Sequence, residues 1–267
     1  MYRSTVRRLQ LFELHEMPWF PALWRDLVTD FLSFFFRVFK PYACSAPLLA
    51  EGLDGAASDR IVDLCSGAGA PVLSLIDNRR IAPSTVTLTD LFPNVTAFRA
   101  AVAAGGGVVA SVETPVDATD VPPALKGFRT LFTAFHHFPP GQAERVLANA
   151  QRNGEGIAIF EFTERNLWLW TVPVLLIPLM VAVCTPLIRP FSWHRLLWTY
   201  VIPVVPVVAM WDGLVSNLRT YSPAELRTLA DALHGSAYRW RSGRVRSIGL
   251  SRVTYLVGWP DPVSPPH

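Results

Sequence analysis

The sequence predicts a doubly wound α/β fold on a mostly parallel, seven-stranded sheet, and three observations predict it. Residues 60–71 read Arg-Ile-Val-Asp-Leu-Cys-Ser-Gly-Ala-Gly-Ala-Pro, a short apolar run of the buried-strand kind followed by a turn of small residues and a helix start. Further β-type runs alternate with helical patterns up to residue 160, as crossover units require. Two closing runs, 238–244 and 253–258, follow one another with no helix between them and read as a terminal hairpin.

Composition sets the bounds. At 267 residues the chain can bury one sizeable core with an elaboration added. Its hydrophobic fraction of 51% and mean hydropathy of +0.28 are high, and the excess lies in residues 167–211. A net charge of +3 with scattered arginines offers no stripe for tracking phosphates, which argues against a nucleic-acid partner. Cys44, Cys65 and Cys184 lie far apart without metal-ligand spacing. They suit a reducing compartment with neither disulfide framework nor metal site. Residues 1–10 are basic, but Glu13, His15 and Glu16 interrupt any apolar core of a secretory signal. A cytoplasmic protein, or one on the cytoplasmic face of a membrane, is expected.

Taken in order, residues 18–39 carry Trp19, Phe20, Leu23, Trp24, Leu27, Val28, Phe31, Leu32 and Phe35 at helical spacing, an aromatic amphipathic helix that packs on the domain or forms a lid. After the strand at 61–64, Gly67 and Gly69 leave backbone N–H groups bare for a nucleotide-like ligand at the start of a helix. Pro71 suits that helix's first turn. Residues 86–90 form a second strand ending at Asp90, where acidic residues accept ribose hydroxyls roughly 20 residues past a glycine turn. A helix over 94–104, a third strand over 108–112 and the sequence Val116-Asp117-Ala118 follow. A fourth strand at 131–135 leads into His136 and His137, then a helix through 144–151. A fifth strand, 157–160, ends at Glu161. Ser222, Pro223 and Glu225 make a capping box for a helix to about Leu233.

The constellation of Asp63, Cys65, Gly67, Gly69, Asp90, Asp117-Ala118, His136-His137 and Glu161 resembles class I S-adenosylmethionine-dependent methyltransferases. The likeness spans roughly residues 50–165 and resumes at Asn217. It implies a Rossmann-like methyltransferase fold with S-adenosyl-L-methionine as cofactor. Asp63, Cys65, Gly67 and Gly69 would then frame the methionine part, Asp90 with Leu91 the ribose, and Asp117 with Ala118 the adenine. Two departures are Cys65, where the family usually has glycine, and Arg129-Thr130 in place of an acidic residue entering the fourth strand. A nicotinamide enzyme would need a third glycine where Val72 stands.

Between Arg165 and Arg189 lies an uncharged run of about 22 residues, 167–188, and a second run covers 196–211. The first is long enough to cross a bilayer. Pro173, Pro178, Pro186, Pro203 and Pro206 would kink both, and a joining loop with Arg189, His194 and Arg195 opposes full spanning. The pair therefore dips into one leaflet, with Trp168, Trp170, Trp193 and Trp198 at the interface, or packs over the sheet as a greasy chamber. Four regions result: a helical segment 1–50, a cofactor-binding core 51–165, an apolar hairpin 166–213, and a closing helix and hairpin 214–267.

Methyl transfer to a lipophilic small molecule is the expected reaction, with membrane contact. His136, His137, His15 and Glu13 are the candidate bases if the acceptor must lose a proton. The alternatives are a non-catalytic protein of this fold that docks a membrane partner, and a nicotinamide-dependent oxidoreductase.

Overall fold

The computed structural model describes residues 7–77, 80–165, 167–233 and 238–261, with side chains in all but 167–174. Its strands are β1 (Arg60–Asp63), β2 (Thr85–Leu88), β3 (Val109–Ser111), β4 (Phe128–Phe132), β5 (Ile157–Glu161), β6 (Tyr238–Arg246) and β7 (Arg252–Pro260). They form one seven-stranded sheet in the order β3-β2-β1-β4-β5-β7-β6. The first five are parallel, and β7 inserts antiparallel between β5 and β6. The strand order reverses between β1 and β4, the switch point at whose carboxyl edge open α/β sheets bind ligands.

The helices are α1 (Ala22–Phe39), α2 (Ala46–Gly55), α3 (Ala70–Asp77), α4 (Val95–Ala104), α5 (Pro140–Arg152), α6 (Leu167–Cys184), the short α7 (Trp193–Leu196), α8 (Val204–Arg219) and α9 (Pro223–Asp231). Both faces of the sheet are covered, which is why β4 and β5 are buried at every position, Arg129 and Thr130 of β4 included. Alternate residues serve opposite layers. Ile61, Val86, Leu88 and Phe128 pack with Leu49 and Leu53 of α2 and Val72 and Leu75 of α3. Val62, Leu131, Ile157 and Ile159 pack with Val146 and Leu147 of α5 and Leu226 of α9. Each such side chain contributes about 1.5–3 kcal/mol on burial.

A third cluster is made by helices alone. Leu27, Val28 and Phe31 of α1 meet Val181 and Cys184 of α6 and Val205, Val208 and Ala209 of α8. The expected hairpin is thus a helical layer completed by α1, and Trp198 lies inside it, edge-on to Trp24 at 5.1 Å between ring centres, rather than at an interface. Trp193 is 75% exposed. Trp168 and Trp170 have side chains outside the described ones. Arg195, expected as a loop charge, is buried and paired to Asp30 of α1 at 2.6 Å. Among the described residues no single helix is long and apolar enough to cross a membrane; one pair, Trp193–Val201 with Val204–Arg219, reaches that length and composition only across a 73° bend.

Other expectations shift by a few residues. β4 lies three residues earlier than 131–135, because Phe135–His137 turn into a 3-10 helix. α5 starts at Pro140, preceded by Pro139, whose fixed φ suits a helix entry. The sequence pattern does not show α2, which crosses the expected boundary at residue 50. α8 runs to Arg219, past the expected boundary at 213. The capping box of Ser222 and Glu225 on α9 is present.

Candidate active site

The turn after β1 is assembled by backbone geometry and two aspartates. Cys65, Gly67 and Gly69 take φ of +54°, +56° and +73°, the left-handed region that favours glycine. Cys65, with a side chain, adopts it at a cost. Burial pushes its thiol well above the usual range, which disfavours the thiolate. A Cβ on Gly69 would come within 2.9 Å of Leu88.

Asp63 ends β1 and is 2% exposed. Its Oδ1 accepts the Thr130 hydroxyl at 2.5 Å, so Thr130, one of the two departures, is a direct neighbour of the turn. Burial pushes the Asp63 carboxyl up to about 7 against the hydrogen bonds that favour its charge. Asp90, two residues past β2, accepts Gly67 N–H through Oδ2 and Phe92 N–H through Oδ1, each at 2.9 Å. Burial raises its pKa, opposed by these backbone donors. Leu91 is exposed, Asp117 is exposed with its Oδ1 accepting Thr119 N–H at 2.8 Å, and Ala118 is buried. All of these residues lie at the carboxyl edge of β1, β2 and β3. The other departure, Arg129, points into the layer under α5, where Nη1 donates to Asn149 at 2.5 Å; burial lowers it to about 10.

Beside the switch point, the loop after β4 meets the segment preceding α1, which crosses the carboxyl edge as a strap. Nδ1 of His136 lies 2.8 Å from Glu161 Oε2, and its backbone N–H donates to Oε1 of the same carboxylate at 3.1 Å. His137 Nδ1 lies 2.6 Å from Glu16, and His15 Nδ1 2.9 Å from Asp212 of α8. Glu13 sits among them, 3.5 Å from His136, 3.6 Å from His15 and 3.1 Å from Arg219. The structure thus joins all four candidate bases, although His15 and Glu13 are 121 or more residues away along the chain.

Their electrostatics differ. Burial opposes charge on His136, but Glu161 and Glu13 raise it to about 9. Burial and then the His136 charge lower His137. Glu16, despite burial, is held down to about 2 by its bond to His137 and by Arg219. Glu13 also stays well below the carboxylate range against its burial, through His137 and His136. His136 is thus enclosed, with 1% of its side chain exposed, whereas His137 keeps 27% of its side chain exposed.

Sequence reasoning missed Glu16, Asp212 and Arg219 as members of this cluster. Asp212 carried a signal, being the first acid after a long apolar stretch. The strap is fixed elsewhere too: Arg8 donates to the carbonyls of Arg219, His136 and Phe138, and Leu14 N–H to Asp212 at 2.6 Å.

No family model matches the chain, and no curated protein matches it. Solved structures do. The plantazolicin methyltransferase BpumL, in complex with SAH, superimposes with a TM-score of 0.51 at 10% identity, over 89% of this chain and 95% of that one. The O-methyltransferase NcsB1 from neocarzinostatin biosynthesis, in complex with S-adenosylmethionine and a naphthoic acid, gives 0.49 at 18% identity, over 90% and 61%. The pyocyanin biosynthetic protein PhzM gives 0.48 at 15% identity, over 82% and 54%. The chain thus spans about half the length of PhzM and nearly all of BpumL. Its fold is the Rossmann-like fold of class I methyltransferases.

Proposed function

We propose that the protein transfers a methyl group from S-adenosylmethionine to a hydroxyl of a lipophilic small molecule. The observation that carries the reading is the left-handed glycine turn at the switch point with Asp63 and Asp90 on either side of it. Gly67 and Gly69 let a ligand lie on bare backbone, Asp63 faces the methionine end, and Asp90 retains free lone pairs for ribose hydroxyls. Asp117 and Ala118 take the adenine, with Leu91 against the ribose.

The transfer is an in-line displacement. S-adenosylmethionine would supply an electrophilic methyl with a neutral thioether as leaving group, and the acceptor oxygen's proton would have to go to a base of this chain. The protein's contribution is alignment in a dry site. His137 is the group placed to take the proton: Nδ1 is anchored on Glu16, and the partly open ring presents Nε2. Glu161 and Glu13 enclose His136, whose ring and backbone bonds to Glu161 position the loop.

The helical layer supports the lipophilic acceptor. Leu175, Leu179, Val183 and Leu187, with Phe191, Trp193 and Val201 nearby, are each more than half exposed. So wide an apolar surface marks contact with something other than water. We read it as a lipid surface on the cytoplasmic side, from which a greasy acceptor enters.

Calorimetric titration of the purified chain with S-adenosylmethionine and S-adenosylhomocysteine tests the reading. Binding of both, lost in Asp90→Ala, is the expected result. A folded protein that binds neither overturns it.

A further inference from the structure

The cluster where the strap meets the loop after β4 brings one carboxylate, which also accepts from Ser216 and Arg219, against two imidazoles. Oε1 of Glu13 stands 3.5 Å from Nε2 of His136, and Oε2 stands 3.8 Å from Nδ1 of His137. Charge-assisted hydrogen bonds run at about 2.7–2.9 Å. These separations instead approach that of two ligands on one tetrahedral ion, about 3.4 Å for bonds of about 2.1 Å. One donor atom from each of Glu13, His136 and His137 lies within 4.8 Å of the other two.

A second observation points the same way. His136 is 1% exposed, yet its Nε2 is buried without a hydrogen-bond partner, a costly state unless something else occupies that lone pair. The opposite nitrogen rests on Glu161 at 2.8 Å, the carboxylate–imidazole pairing that orients metal ligands. Glu16 lies 2.6 Å from the His137 nitrogen that faces Glu13, so an ion taking Nδ1 displaces that bond and leaves Glu16 beside it. Charge agrees. Glu13, Glu16, Glu161 and Asp212 gather around these rings, against Arg219, which reaches Glu13 and Glu16, and His15, which reaches Asp212 and Glu13.

We propose that Glu13, His136 and His137 bind a divalent transition-metal ion of the zinc type. Two imidazoles and a carboxylate suit such an ion better than magnesium or calcium, which take oxygen. Three protein ligands also leave a fourth position open. If the methyl-transfer reading holds, an acceptor hydroxyl reaching that position would give up its proton more readily. Metal ligation and the free-base role are alternative uses of His137.

The test uses the full chain, stripped with a chelator and free of cofactor and acceptor. Zn²⁺ is titrated calorimetrically, and Co²⁺ is followed by its visible absorption. The expected result is one Zn²⁺ per chain and intense Co²⁺ bands of a four-coordinate site. Glu13→Gln and His137→Ala should each weaken Zn²⁺ binding at least about tenfold with an unchanged circular dichroism spectrum. His136→Ala is avoided as the sole variant because removing a buried ring can unfold the chain. Absence of Zn²⁺ binding, or binding that survives both substitutions, overturns the proposal. Titration of the stripped chain with S-adenosylmethionine separates the two ideas: cofactor binding without Zn²⁺ binding sinks the metal site alone, and Zn²⁺ binding without cofactor binding sinks methyl transfer alone.

Discussion

Asp63 places a titratable group with a raised pKa where a charged ligand would sit. Its folded pKa of about 7 stands above the unfolded value of about 3.9. The stabilising protonation is therefore fully present below pH of about 4 and lost as pH rises through 7, at roughly 1.4 kcal/mol for each pH unit that separates the two values. Asp63→Asn should accordingly be more stable than the parent at pH 8 and similar to it at pH 4, as read by urea midpoints. A cofactor ammonium beside Asp63 would favour the ionised form, so binding should release a proton. Affinity for S-adenosylmethionine should then rise about fivefold between pH 6 and 7 and level off above pH 8; a flat calorimetric profile would remove Asp63 from the site. At Gly69, φ of +73° and the 2.9 Å approach to Leu88 make Gly69→Ala costly by about 1–3 kcal/mol, a loss measurable in the same urea assay.

At the scale of elements, legibility followed physics. β1, β2 and β5 could be read because buried strands are apolar runs and their ends carry carboxylates. β4 slipped because Leu131 to Phe135 is as apolar as the true strand, and nothing local shows that Phe135 turns away. The turn at Gly67 was legible because a positive φ favours glycine, whereas its bond to Asp90, 23 residues on, leaves no local trace. The Glu13 and His15 pair was found by type but not by place, since contacts across more than 100 residues leave no periodic trace. The helical layer was legible as greasiness and illegible as packing: which apolar face meets which helix depends on α1, far away in the chain. Phe31, 4% exposed among α1, α6 and α8, tests that layer. Phe31→Ala should cost about 3–5 kcal/mol, lowering the thermal midpoint. Leu179→Ser, on the 61% exposed side, should leave that midpoint in place and reduce flotation with anionic vesicles.

The whole molecule joins an α/β unit to a helical layer, and the proposed cofactor turn belongs to the first alone. Ligand binding there should stabilise the native chain by mass action, about 2.7 kcal/mol at a hundredfold excess over the dissociation constant. For a chain of this size that is a rise of several degrees in thermal midpoint. Asp90→Ala should show no such rise. The strap has a different consequence. Leu9 N–H bonds Leu218, Leu14 N–H bonds Asp212, and Arg8 spans Arg219, His136 and Phe138, so the strap and the end of α8 are buckled across one mouth. A molecule reaching Glu13 and His136, each 1% exposed, would have to wait for that buckle to undo. Turnover would then be timed by a gate, with solvent-viscosity dependence and little kinetic isotope effect on the transferred methyl. Deuterium exchange at the Leu9 and Leu14 amides would report the gate's opening rate directly.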